Sequence, residues 1–282
     1  MSRNSEATRD QSNMLEKGLR ILQAFRSGDQ CLRLTDVAER TGMPKSTVHR
    51  LTQILVEQQL LTLSEQGYEL GIALFELSSL VPVKQRLRVA ALPFLQDLFM
   101  ATHETVHLGI REGFDVVYVE KIYGHSDLGL PSRVGGRLPL NCTGIGKALL
   151  AFSSEEVRAD FLARPLRRIT RKSVTDPVRL ARELAEARAT GLAFEREEAT
   201  LGRECVAAPV IVHGEIMAAM SISVPISAYR MPQLAAAVKT SALGLARHLR
   251  VAGAAVESPD EFRVAGHLLS DRDADPDHRR HD

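Results

Sequence analysis

Residues 34–70, LTDVAERTGMPKSTVHRLTQILVEQQLLTLSEQGYEL, restrict what this chain can fold into more than any other stretch. They read as a short helix, a tight turn at Thr41-Gly42, a second helix opened by Pro44, and a two-stranded ribbon. That order is a winged helix-turn-helix, whose second helix enters a groove of double-stranded DNA. Thr35 is the expected cap of the first helix, with Asp36 in the first turn and Val37 and Ala38 facing inward. Gly42 supplies the positive φ that ends this helix, and Pro44 sits at the start of the next, where a missing N–H costs nothing. Val48, Leu51, Ile54 and Leu55 recur at helical spacing as the buried stripe. The opposite face carries Lys45, Ser46, Thr47, His49 and Arg50, donors suited to phosphates and base edges. Residues 60–63 and 68–70 form the wing, and Lys17, Gly18, Leu19, Ile21, Leu22 and Phe25 mark a preceding amphipathic helix.

Charge refines the reading. The whole chain of 282 residues has a formal net charge of +1, so nucleic-acid contact must be local. Between Arg40 and Val56 the sequence offers Arg40, Lys45 and Arg50 without one carboxylate, the local asymmetry that docking on DNA requires. Cys31, Cys142 and Cys205 show no CxxC spacing, which fits a reducing cytoplasm. Residues 1–12 and 254–282 are polar or charged and are expected to be disordered, and the N-terminal stretch reads as neither signal nor anchor. No run approaches the ~18–20 apolar residues of a membrane helix.

Beyond the expected DNA-binding domain (13–73), residues 74–86 read as a linker helix that pairs protomers, and 87–253 as a second domain. The apolar spacing of Ile72, Leu74, Phe75 and Leu77 stops near Pro82 and resumes from Leu87 through Phe99, with Pro93 kinking or restarting the helix. Here residues 105–111 and 116–119 form a hairpin around Glu112-Gly113, and 205–212 and 215–224 a second around His213-Gly214. Helices are expected over 146–152, 154–162, 177–190 and 232–251. Hairpins interleaved with helices imply an α+β architecture on a largely antiparallel sheet.

Several motifs invite chemistry. His103-Glu104-Thr105-Val106-His107 matches HExxH, but that motif needs a helix, and here its second half opens a strand rich in β-branched residues. Along a strand the two histidines would lie ~13 Å apart, too far for one metal ion. Thr143-Gly144-Ile145-Gly146-Lys147-Ala148 resembles half a phosphate loop, yet Asn141 replaces its first Gly and Ala148 its magnesium-holding hydroxyl. What remains is a Gly-rich turn into a helix, either an anion site suited to a carboxylate or a cap that allows close packing. Glu195, Glu197 and Glu198 read as a solvated acidic face. Ser221 and Ser223 alternate on one strand face among apolar neighbours and need partners, backbone or ligand, while Cys205 reads as a pocket wall. No catalytic group, metal or cofactor is expected.

Taken together, KGLRILQAF, LTDVAERTGMPKSTVHRLTQILVE, GYELG, ETVHLGIREGFDVVYVEKI, SRVGGRLPLNCTGIGKALLAF, EREEATLGRECVAAPV and AAMSISVP resemble the IclR family of bacterial transcriptional regulators, over residues 15–251. The resemblance implies a winged helix-turn-helix, a linker helix and a C-terminal GAF-like effector-binding domain. It also implies homodimers or dimers of dimers on a palindromic promoter site, and a small organic acid as effector. Carried over by motif, Gly144 and Ile145 would donate backbone N–H groups to that acid, and Glu195, Cys205, Ser221 and Ser223 would line its polar side. The acid at Glu195 is often Asp in relatives, and Arg203 stands where some are apolar; facing the pocket, it would favour an anion. Repression of a neighbouring catabolic operon is the leading expectation. Activation, a sensor acting through protein partners, and a zinc hydrolase are the alternatives.

Overall fold

The computed structural model describes residues 14–26, 28–124, 130–226 and 231–251, with the backbone alone at 82–85. The expectations for 1–12 and 254–282 lie outside the described residues. Contacts divide the chain after Pro82 into two compact units.

In the first unit, α1 (14–23), α2 (Leu34–Thr41) and α3 (Lys45–Glu57) precede the hairpin of β1 (Leu61–Ser64) and β2 (Gly67–Leu70). Ile21, Leu32, Val37, Val48, Leu51, Leu61 and Tyr68 meet in its core. The wing is anchored beside its turn, where Leu32 and Tyr68 exchange backbone hydrogen bonds, both 2.8 Å. Two details of the expectation change. The cap of α2 is not Thr35: the helix starts at Leu34, and the Asp36 carboxylate reaches back to accept from the Arg33 N–H at 3.0 Å. On α3 the fourth buried position is Thr52, not Ile54, which lies 40% exposed. Thr52 tolerates burial because its hydroxyl donates to the His49 carbonyl at 3.0 Å.

The linker stretch over 74–86 breaks near Pro82, as its apolar spacing indicates. It holds the end of α4 (Ile72–Ser79), two non-helical residues, and the start of α5 (Pro82–Thr102). Proline disfavours helical backbone in the residue before it, so the break falls at Val81 and a new helix begins with the proline. Pro93 lies inside α5 without ending it. Leu87, Ala91, Leu95 and Leu98 are buried along one side of that helix, and this burial outweighs one missing backbone bond.

The second unit is built on a six-stranded antiparallel sheet in the order β5-β4-β3-β8-β7-β6. Its strands are β3 (Thr105–Glu112), β4 (Asp115–Ile122), β5 (Arg137–Pro139), β6 (Ala193–Arg196), β7 (Arg203–Val212) and β8 (Glu215–Pro225). One face carries Val106, Leu108, Val206, Ala208 and Ile222, packed with α5 and α9 (Met231–Val251). The other carries α6 (Gly144–Ala151), α7 (Glu155–Leu162) and α8 (Pro177–Thr190) through Val116, Tyr118, Ala207 and Ala219. Caps fix these helices: Ser154 accepts from Val157 N–H at 3.4 Å, and Asp176 from Val178 N–H at 3.0 Å. The short edge strands β5 and β6 were not anticipated.

Gly42 ends α2 with φ 68° and ψ 15°, and a Cβ there would meet no atom. The cost of Gly42→Ala is therefore conformational, about 1 kcal/mol. A urea titration should show this loss in the first unit while the second unfolds as before.

Candidate functional site

Two places in the molecule carry the residues singled out by sequence. The first is the opening of α3. Lys45, Ser46, His49 and Arg50 are exposed and Thr47 is half-buried, whereas Val48 is wholly buried and fixes which face looks outward. The helix has no acidic residue in its first turn, so nothing there offsets Lys45. Arg40 departs from expectation. Its guanidinium donates to the Asp29 carboxylate and to the Ala24 carbonyl, tying the end of α2 to the segment after α1. The Asp29 carboxyl is held below the usual range, first by that hydrogen bond and then by the Arg26 N–H. Arg40 is thus engaged within the domain, in contrast to Lys45 and Arg50 on α3.

The second place is a cavity in the second unit enclosing about 390 Å³ of empty space, part of it open to solvent. All seven residues expected around a ligand, Gly144, Ile145, Glu195, Arg203, Cys205, Ser221 and Ser223, line it. Strand register explains why. Glu195 on β6 pairs with Cys205 on β7, which pairs with Ser223 on β8, which pairs with Thr105 on β3. Two residues along, and therefore on the same face, Ala207, Ser221 and His107 form the next row. The N-terminal end of α6 sits above them. Thr143 caps it by accepting from Gly146 N–H at 3.0 Å, and Lys147 N–H bonds the Thr143 carbonyl at 2.9 Å. The Gly144 and Ile145 N–H groups precede the first intrahelical bond, which puts partial positive charge at the cavity wall. Gly144 suits this position, since a Cβ would lie 3.0 Å from Cys205 Sγ, tighter than an ordinary van der Waals contact.

The cavity also draws in residues that sequence reasoning left out: His107, Tyr118, Ser132, Thr143 and Thr200. His107 was legible in principle, because the two hairpins place it directly across from Ser221 once β3 and β8 pair. Its Nε2 lies 2.8 Å from Ser132 Oγ and its Nδ1 3.4 Å from Ser221 Oγ. Lys121 Nζ donates to the Ser132 carbonyl at 2.9 Å, so Ser132 is clasped to the sheet twice. Burial, aided by the Lys121 charge, lowers the His107 pKa to about 3, so the ring is neutral at physiological pH. Burial, with the Glu195 charge second, pushes the Cys205 thiol up to about 12, which makes it a wall and not a nucleophile. Burial also raises Tyr118.

The acidic face is the clearest correction. Glu195 and Glu198 are buried, not solvated. Glu198 pairs with Lys147 Nζ at 2.5 Å, and the same ammonium reaches Glu183 at 2.6 Å and the Phe194 carbonyl at 3.3 Å. Lys147, the residue that gave the turn its phosphate-loop look, is therefore spent beneath β6 and absent from the cavity wall. The Glu198 N–H in turn donates to the Glu195 carboxylate, as does the Ala199 N–H at 3.0 Å. Burial raises Glu195 to about 7 despite those two donors.

HETVH is divided between elements. His103 follows α5 and packs edge-on against Phe99 at 6.0 Å, while His107 is on β3 and buried. Among the described residues no group of three His, Cys, Asp or Glu is placed to hold a metal ion, and no helix is long and apolar enough to cross a membrane.

Comparison with known proteins assigns the domains that carry these two places. Residues 14–68 match the IclR helix-turn-helix domain, and residues 81–247 match the C-terminal domain of bacterial transcriptional regulators of the IclR type. The chain is 32% identical over 223 residues to the transcriptional repressor IclR of Escherichia coli K12, covering 77% of this chain and 81% of that protein. It is 35% identical over 217 residues to the regulator XynR of the same organism, covering 74% and 84%. Among solved structures, an IclR homolog from Microbacterium hydrocarbonoxydans complexed with 4-hydroxybenzoate superposes with a TM-score of 0.77 at 30% identity, covering 84% of this chain and 99% of that one. The matched families and relatives are transcriptional regulators and not enzymes. With a DNA-binding helix-turn-helix at one end and an effector-binding domain at the other, this chain belongs to the IclR family of ligand-responsive bacterial transcriptional regulators.

Proposed function

We propose that this regulator represses a catabolic operon and releases its promoter when a small organic acid enters the cavity of the second unit. The observation that carries this reading is the convergence of the Gly144-Ile145 turn, Arg203, and the hydroxyls of Ser221 and Ser223 on one cavity. A helix N-terminus and a guanidinium together suit a carboxylate. Glu195 and Cys205 complete the wall. On the DNA side, Lys45, Ser46, Thr47, His49 and Arg50 are the contact set, acting in the cytoplasm on a promoter. Effector binding would shift the population of protomer arrangements and so the spacing of two recognition helices.

That mechanism needs at least a homodimer on a palindromic site. Supporting it, α4 buries none of its residues and leaves Ile72, Phe75 and Leu77 exposed, as is Leu80 just after it. An apolar row of this kind on a monomer surface suits a partner protomer, with pairing of dimers as a further step. Phe75→Glu should shift the sedimentation coefficient toward the monomer; an unchanged value would move the interface elsewhere.

A mobility-shift titration on the intergenic DNA beside the gene, with and without small organic acids, tests the reading as a whole. A sequence-selective shift reversed by one acid is expected, and a promoter reporter then distinguishes repression from activation. Arg50→Ala should weaken promoter binding by about 1–3 kcal/mol, roughly 5- to 150-fold, with ligand affinity measured by calorimetry unaltered. Equal promoter affinity would strike Arg50 from the contact set. Ser221→Ala should raise the effector concentration needed for release by roughly 2- to 10-fold, the worth of one hydrogen bond, with effector-free DNA affinity as the internal control.

A further inference from the structure

The connection from α7 to α8, residues 163–176, concentrates positive charge. It carries Arg164, Arg167, Arg168, Arg171 and Lys172, all exposed, in a chain whose formal net charge is +1. Its one acid, Asp176, is engaged as the cap of α8. Three of the cations have carboxylate partners: Arg164 with Asp160 at 3.1 Å, Arg167 with Asp115 at 3.1 Å, and Lys172 with Glu197 at 3.7 Å. The side chains of all three remain more than half exposed, so these pairs hold them weakly. Among the described residues, Arg168 meets no carboxylate, donating instead to the Thr175 hydroxyl at 3.2 Å, and Arg171 has no partner.

Like charges this close along an irregular segment repel one another, yet polar side chains beneath it fix its backbone. Asn141 Nδ2 donates to the Arg167 and Val174 carbonyls at 2.7 and 2.9 Å. Ser173 Oγ accepts from the Ile169 and Thr170 N–H groups at 3.0 and 2.9 Å, and donates to the Glu198 carbonyl at 2.7 Å. Thr170 Oγ1 donates to the Glu197 carbonyl at 2.6 Å. Asn141 and Ser173 are buried, where such bonds are electrostatically stronger than in water. The guanidinium groups therefore project from a backbone of set spacing, and a polyanion that meets them has only side chains left to order.

We propose that this connection is a second DNA-contacting surface, holding the phosphate backbone of the promoter through Arg168 and Arg171. It lies outside the helix-turn-helix and adds to the contact set of α3. Guanidinium forks match phosphate oxygens and carry no sequence information when they do so. What the surface lacks identifies its occupant. The connection has no aromatic residue on which unpaired bases would stack. Its one exposed large apolar side chain is Ile169, at 40%, whereas a protein interface centres on apolar or aromatic anchors. Duplex phosphate requires neither. Once α3 holds its site, a contact from elsewhere in the same chain is intramolecular, so two forks add affinity without forming a strong site of their own.

The salt dependence of DNA binding by the full-length protein tests this. Each phosphate contact adds about 0.9 to the slope of log affinity against log salt concentration. Arg168→Gln combined with Arg171→Gln should lower that slope by about 2, read by fluorescence anisotropy from about 50 to 200 mM salt. The loss should be equal on the intergenic duplex beside the gene and on a random-sequence duplex, so that the ratio of the two affinities stays at the wild-type value. Arg247→Gln combined with Arg250→Gln removes the same charge from exposed positions of α9, on the opposite face of the sheet, and should leave the slope as it was. An unchanged slope in the first variant, or an equal fall in the second, would overturn the inference and leave the recognition helix standing. An unchanged slope with lost binding of poly-L-glutamate would overturn it in favour of an acidic protein segment. All four substitutions are at exposed positions and none touches the buried bonds that fix the connection.

Discussion

The pocket depends on how closely α6 approaches the sheet. The first turn of α6 meets the sheet through glycines, which place no side chain between backbone and neighbour. A Cβ on Gly109 of β3 would lie 2.8 Å from Val116 Cγ1 and 2.9 Å from Ile145 Cγ2, and one on Gly144 would lie 3.0 Å from Cys205 Sγ. With both positions bare, the Gly144-Ile145 turn borders the cavity floored by Cys205, Ser221 and Ser223. The same approach buries all eight residues of α6, including Lys147.

Burying Lys147 creates the second constraint. A buried ammonium requires its charge to be matched, and Glu198 and Glu183 do this at 2.5 and 2.6 Å. Pairs of this kind gain little net stability over an apolar substitute; what they supply is a fixed geometry. The geometry reaches the pocket in two steps. Lys147 fixes Glu198, and the Glu198 N–H fixes the Glu195 carboxylate. Glu197, one residue away, takes φ 59°, and its N–H bonds the Arg203 carbonyl at 2.7 Å, so the turn between β6 and β7 is closed on itself. Glu195 and Arg203, both at the cavity wall, thus flank one tightly braced turn.

The helix-turn-helix, both long hairpins and the helix over 177–190 were legible because each carries its own local signal: Gly42, His213-Gly214, Asp176-Pro177 and Gly191. The strands β5 and β6 were not, being three and four residues long, too short for alternation to register. Missing β6 is what made Glu195 and Glu198 look solvated. A lone carboxylate in sequence is nearly always at the surface, and nothing near Glu198 reveals a lysine 51 residues earlier. Arg40 misled for the same reason, since its partner Asp29 lies in a segment with no periodic pattern. His107, Tyr118 and Ser132 join the cavity only through the pairing of β3 with β4 and β8, a tertiary fact.

These hidden pairings also determine how the chain presents charge. A regulator with a net charge of +1 has no general attraction to a polyanion, so binding must be concentrated where it discriminates. Engaging Arg40 with Asp29 removes a cation beside the recognition helix from non-specific contact and leaves Lys45 and Arg50 exposed on α3. In the second unit, matching Lys147 with Glu198 and Glu183 has the parallel effect, removing a cation that would otherwise hold any anion near the first turn of α6. In both units an internal ion pair subtracts indiscriminate charge, so that the charges remaining are attached to a defined surface and can report what is bound there.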